Sequence, residues 1–162
     1  MLGMPRVREA AIESRPSRPA SVRWIAGAVI TVVCSVVTLG LGRQIWPAAA
    51  GAAQPPAALM PFFIGLSVVE SILFGLGVCF IVFGYRRVAA AGQPLWLSYG
   101  TYLAVAWMMV SWWPHDNLHR VTVAGDWTGL LTIDYAFHIT LMVSIGIVAI
   151  FVYRMLLRPT GR

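Results

Sequence analysis

Four long apolar stretches, none interrupted by an arginine, dominate this chain of 162 residues: Trp24 to Leu41, Pro61 to Tyr85, Leu95 to Trp113 and Leu130 to Tyr153. Each has about 18 residues or more, enough at ~1.5 Å rise per residue to cross a hydrocarbon core ~30 Å thick. In a soluble bundle each helix would keep a polar face, and these stretches have almost none. The composition agrees, with 59% hydrophobic and only 11% charged residues. A soluble domain carries roughly 25% charged residues. The same numbers exclude a disordered chain, and two cysteines, Cys34 and Cys79, each inside an apolar run, exclude a disulfide scaffold. The predicted fold class is an all-α integral membrane protein, a four-transmembrane-helix bundle with spans at about 24–41, 61–85, 95–113 and 130–153.

Charge sets the expected topology. All twelve basic residues are arginine. Five fall in the polar segment 1–23, Arg86 and Arg87 between the second and third stretches, and Arg154, Arg158 and Arg162 at the C-terminal end. Only Arg43 and Arg120 fall on the opposite side, so the positive-inside rule predicts that both termini are cytoplasmic. Residues 1–23 then read as a disordered arginine-rich cytoplasmic tail, 24–156 as the membrane domain and 157–162 as a second cytoplasmic tail. Trp24, Trp46, Trp96, Trp112 and Trp113 stand near span ends, where an aromatic belt belongs. The arginine-only usage with much alanine, glycine and valine points to a GC-rich bacterial genome and hence to a bacterial plasma membrane, crossed several times. The net charge of +6 does not imply nucleic acid, because the arginines edge apolar runs and form no basic and aromatic surface. Ala48, Ala50 and Ala53 after the first stretch resemble a signal-peptide cleavage site, but that stretch exceeds the ~7–15 residues of a signal core, which favours an uncleaved anchor.

Chemistry-bearing residues are concentrated. All three histidines and all three aspartates lie between residues 115 and 138: His115, Asp116, His119, Asp126, Asp134 and His138. On a helix, His115 and His119 share a face at four-residue spacing, a common way to place two imidazoles on one metal ion. Asp134 and His138 repeat that spacing inside the fourth stretch. Asp126, beside Gly125, reads as a turn residue and Arg120 as an interfacial anchor. Glu70 is the one ionisable residue near the middle of the second stretch, flanked by the small residues Ser67, Ser71 and Gly75 along which a neighbouring helix can pack. Counted inward from the span ends, Glu70 and His138 reach depths of about 15 and 12 Å, so they are expected to meet at one level.

Three functions fit these residues. The first is a divalent transition metal (copper, zinc or iron) held by His115, Asp116, His119, Asp134 and His138. The Asp134-x-x-x-His138 spacing is similar, over a few residues of one helix, to that in the integral subunit of copper-dependent methane and ammonia monooxygenases; no residue role is carried over from it. The second is metal-free acid–base catalysis by Glu70 and Asp134 on a lipid-soluble or small substrate, as in a cyclase, an isomerase or a proton relay, with Tyr99, Tyr102, Trp107, Trp112, Trp113, Tyr135 and Phe137 lining a cavity. The third is a non-enzymatic accessory subunit. The lipid bilayer is the predicted environment, with a membrane-complex partner or a homo-oligomer as the expected association. Phosphate loops, lysine Schiff bases, nucleophile elbows and Cys-x-x-Cys redox centres have no counterpart in the sequence.

Overall fold

The computed structural model of the chain describes residues 20–50, 55–122 and 125–157, and the regular structure among these is all helix, with no strand. The first helix, α1, runs Ala20–Ile45; a 3₁₀ turn at Ala57–Leu59 leads into α2, Met60–Phe83; a short α3 covers Tyr85–Ala89. Leu95–Val110 forms α4 and Trp112–Val121 forms α5, while the last long helix is built from α6 (Trp127–Asp134), a π-helical turn (Tyr135–Ile139) and α7 (Thr140–Leu156). Three helical segments are long and apolar enough to cross a membrane, Ser21–Ile45, Ala57–Phe83 and Trp127–Leu156; Leu95–Val110 is apolar but shorter. Helix α1 starts before Trp24, so residues 20–23, expected in the tail, are helical. The remainder of the predicted N-terminal tail and nearly all of the C-terminal one lie outside the described residues.

The third apolar stretch departs most from expectation, since its helix breaks at Ser111 instead of continuing to Trp113. Pro114 explains the position of the break. Its ring crowds the carbonyl four residues back, that of Val110, and it has no N–H to offer that oxygen. Ser111 absorbs the bend with helical angles of φ −73° and ψ −23°, and its own carbonyl takes the His115 N–H at 3.0 Å. Proline therefore opens the first turn of α5, the helix that carries His115 and His119.

The helices pack as an antiparallel row in the order α1, α2, α4, α7, and the outer two share no extensive contact. Glycines allow the close approaches. A methyl group at Gly75 would run into the Thr31 carbonyl and the Ser35 side chain of α1, and one at Gly77 would meet Met109 and Val110 of α4. Two residues are ~200° of helical turn, so these glycines serve opposite faces of α2. Small residues likewise fill the buried side of α4, where Ser98, Thr101, Ala104 and Ala106 are all buried. Large apolar side chains point outwards along the helices, including Val29, Val36, Phe62, Ile64, Leu103, Met142 and Val143. On α1 the hydroxyls are satisfied locally, Thr31 donating to the Gly27 carbonyl (2.9 Å), Ser35 to Thr31 (2.7 Å) and Thr38 to Cys34 (2.8 Å), whereas the buried hydroxyls of Thr101 and Ser111 have no partner among the described residues.

The two ends of the row differ in chemistry. At one, Arg87 lies over the Trp24 ring (5.1 Å to its centre), Arg154 over Trp96 (5.8 Å), and Tyr85 stacks on Tyr99 (4.7 Å between centroids). The Tyr102 hydroxyl donates to the Ile81 carbonyl at 2.6 Å, satisfying one of the free acceptors at the end of α2. At the other end Arg120 clamps α5 to α1: its Nη2 donates to the carbonyls of Trp46 (2.9 Å) and Gly42 (3.4 Å) and to Asn117 Oδ1 (2.6 Å). A guanidinium at the C-terminal end of a helix meets free carbonyls and the negative end of the helix dipole together. Charge-assisted bonds of this kind are worth about 1.5–3 kcal/mol, trimmed by solvent access. Arg120→Met is therefore expected to lower stability by roughly 1–2 kcal/mol, read as a lower midpoint of thermal unfolding in detergent. An unchanged midpoint would remove Arg120 from the set of stabilising contacts.

Candidate metal centre

Site residues come from two helices that meet at the second end of the row. On α5, one turn separates His115 from His119, and their Nε2 atoms lie 3.1 Å apart with the rings edge to face. Asp134 closes α6, and its Oδ1 lies 3.3 Å from His119 Nε2 and 3.6 Å from His138 Nδ1. The His115 and His138 ring centres are 5.2 Å apart. Donor atoms of His115, His119 and Asp134 all fall within 4.8 Å of one another, the only such group of three among the described residues. The cluster is half-open: the Asp134 and His138 side chains are 46% and 59% exposed.

Local structure explains how Asp134 and His138 are presented. The segment that follows Asp134 and carries His138, Tyr135–Ile139, winds as a single π turn, which widens the helix by one residue and breaks its regular hydrogen bonding. Thr140 braces the widened turn by donating to the Ala136 (2.7 Å) and Phe137 (3.0 Å) carbonyls, and in turn accepts the Trp107 indole N–H at 3.0 Å. Phe137 is buried between Trp107 (centroids 5.6 Å, stacked) and His115 (5.1 Å). Aromatic packing thus ties the π turn to both α4 and α5. Upstream, Asp126 caps α6 by accepting the Gly129 N–H at 2.9 Å, directly after Gly125 at φ +92°, a left-handed conformation that favours glycine.

Electrostatics favour neutral imidazole at His115. Burial, and then the nearby His119 and His138, hold its pKa below the ordinary value of 6.5, with Asp134 and Asp116 pulling the other way. Neutral imidazole is the ligating form.

The remaining candidates fall elsewhere. Glu70 is buried on α2 and does not meet Asp134 and His138; with Asp116 it lines a separate cavity between α1, α2 and α5, of which His119 is also a wall. Depth along two helices placed Glu70 and His138 at one level, but azimuth around the helices decides contact, and α5 lies between them. Nor do the expected aromatics share one cavity. Tyr99 and Tyr102 belong with Tyr85 at the arginine-rich end, Trp107 and Phe137 brace the histidines, and Trp113 packs on Trp46 and Phe74. The Asn117 and Arg120 clamp was not foreseen as such; a guanidinium three residues from an amide on one short helix was its only sign.

Comparison with known proteins finds no match to this chain among family models, curated proteins or solved structures. The class of protein therefore rests on its own geometry: an all-helical chain with apolar helices long enough for a multi-pass membrane protein, and a His/His/Asp cluster at one end.

Proposed function

We propose that this chain is a four-span plasma-membrane protein, both termini cytoplasmic, that binds a divalent transition metal through His115, His119 and Asp134 on its outer side. The observation that carries this reading is the spacing of the donor atoms. Tetrahedral ligands at ~2.0–2.1 Å from an ion stand about 3.3 Å from one another. The His115–His119 and His119–Asp134 separations of 3.1 and 3.3 Å match that edge. His138, on the same carboxylate oxygen, orients Asp134 or supplies a fourth donor. Two imidazoles and a carboxylate suit zinc, copper or iron, and three protein ligands leave a coordination position open to a small molecule, as in catalytic rather than structural sites. Asp116 is outside the group of donors within 4.8 Å of one another, so the proposed ligand set omits it. Orientation follows the arginines: Arg87 and Arg154 lie at the end opposite the histidines.

Elemental analysis of the detergent-purified protein tests the reading, after loading with zinc, copper or iron in turn and desalting. About one equivalent of one metal per chain is expected at pH 7.5. Since the ligands must be neutral imidazole and ionised carboxylate, retention should persist down to the ordinary imidazole value of about 6.5 and fall as the pH drops further. Wild-type protein that retains none of the three metals would overturn it. A second reading has its own support, because Asp134 Oδ1 lies within reach of two imidazoles and His119 in turn reaches His115, a connected set of proton carriers. Activity or proton transfer that survives in metal-free protein and is lost in Asp134→Asn would favour it.

A further inference from the structure

We propose that the cavity between α1, α2 and α5 binds a lipophilic organic cation, with Glu70 as its counter-charge and Asp116 beside it. The cavity encloses about 960 Å³ and runs from the end of α1 and the 3₁₀ turn down to Glu70. That volume fits a small organic molecule. It is too wide for a bare ion, since a hard cation needs several oxygens at fixed short distances. Its walls include Phe63, Leu66 and Trp113.

Glu70 is what an organic cation would answer. It stands ten residues into α2, about 15 Å from the helix start. Only 5% of its surface is exposed, and it lines the cavity. No hydrogen-bond donor and no cation within ion-pair distance meets its carboxyl group among the described residues. Asp116 is close enough to repel it and lines the same space. The basic groups that line the cavity are Arg120, His119 and Arg43, and the Nε of Arg120 is buried without a partner among the described residues. Arg120 is committed to the Trp46 and Gly42 carbonyls and to Asn117, His119 reaches Asp134, and Arg43 is exposed at the end of α1. An anion at this depth would face two carboxylates. A weakly hydrated organic cation would supply the missing charge, and the Trp113 ring would add a cation–π contact.

His119 is both a wall of this cavity and a member of the histidine cluster, so chelator-treated protein, with the cluster free of metal, is the material for the test. Equilibrium dialysis of the detergent-purified chain against tetraphenylphosphonium should show saturable binding near one per chain. Tetraphenylborate, an anion of the same shape dialysed in a separate sample, should show no saturable binding. Glu70→Gln, which keeps the shape of the side chain, should weaken binding at least about tenfold, and Asp116→Asn by less. Wild-type protein supplies a second measurement: dicyclohexylcarbodiimide should modify Glu70, detected by peptide mass, and tetraphenylphosphonium but not tetraphenylborate should protect it. Absence of saturable binding, equal affinity in a folded Glu70→Gln protein, equal saturable binding of the anion, or Glu70 labelling unaffected by the phosphonium would each overturn the proposal.

Discussion

His119→Ala is expected to abolish metal retention, and to do so more completely than alanine at any other position of the cluster. His119 Nε2 is the central atom, 3.1 Å from His115 Nε2 and 3.3 Å from Asp134 Oδ1, so its removal separates the other two donors. Structural metal sites hold zinc by about 10–16 kcal/mol in total, which shared over four ligands is roughly 2.5–4 kcal/mol each, or about 10²–10³-fold in affinity. Asp134→Ala should act with similar force, because it takes away the one carboxylate within ion-pair distance of the histidines among the described residues and leaves His138 without that partner. His138→Ala should weaken binding only about 10–100-fold if His138 orients Asp134 from outside the ligand set. Competition titration against a chromophoric chelator gives these affinities, and far-ultraviolet circular dichroism checks that helicity is kept. Equal, small effects at all four positions would mean that the ion seen in the wild type is bound elsewhere.

Gly75→Leu should part α1 from α2. Any side chain at Gly75 runs into the Thr31 carbonyl and the Ser35 side chain. The backbone half of that collision has no rotamer by which to escape. Overpacking costs about 1–3 kcal/mol where side chains can shift, and this contact lies at the upper end because a helix backbone must move. A cross-link reports the separation directly. A Cβ at Gly27 would sit 3.2 Å from Cys79 Sγ, so Gly27→Cys in a Cys34→Ala background should form a disulfide with Cys79 under mild oxidation. Adding Gly75→Leu should block that bond. Adding Gly65→Leu should not, since Gly65 has open space around it. A disulfide that forms equally well with Gly75→Leu would show that α1 does not depend on this contact.

Much of the architecture was legible because its cause is local. A helix is obligatory for an apolar run long enough to span a bilayer, and the four runs reappear as helices with ends displaced by a few residues. The Ser67, Ser71 and Gly75 stripe announced a close helix approach, and Gly75 indeed faces α1. The four-residue spacings of His115 with His119 and of Asp134 with His138 appear in the folded chain as real contacts, because each pair lies on one continuous helical segment. The break at Ser111 has a local cause too, since the Pro114 ring crowds the carbonyl four residues back, that of Val110.

Sequence by itself therefore determined the helices, their apolar surfaces, the asymmetry of the arginines and the two His-containing pairs, all of which arise from residues within one or two turns of each other. Tertiary structure alone decided which pairs meet. Depth counted along a helix suggested that Glu70 joins Asp134 and His138, whereas the row of helices and the intervening α5 put Glu70 and Asp116 on a cavity that touches the His/His/Asp cluster at His119 and does not bring Glu70 to Asp134 and His138. Contact between helices depends on rotation about each axis and on the order of packing. Neither quantity is encoded in spacing along a single helix, and both are set here by glycine contacts and by the Arg120 clamp, which join residues from 32 to 78 positions apart in the chain.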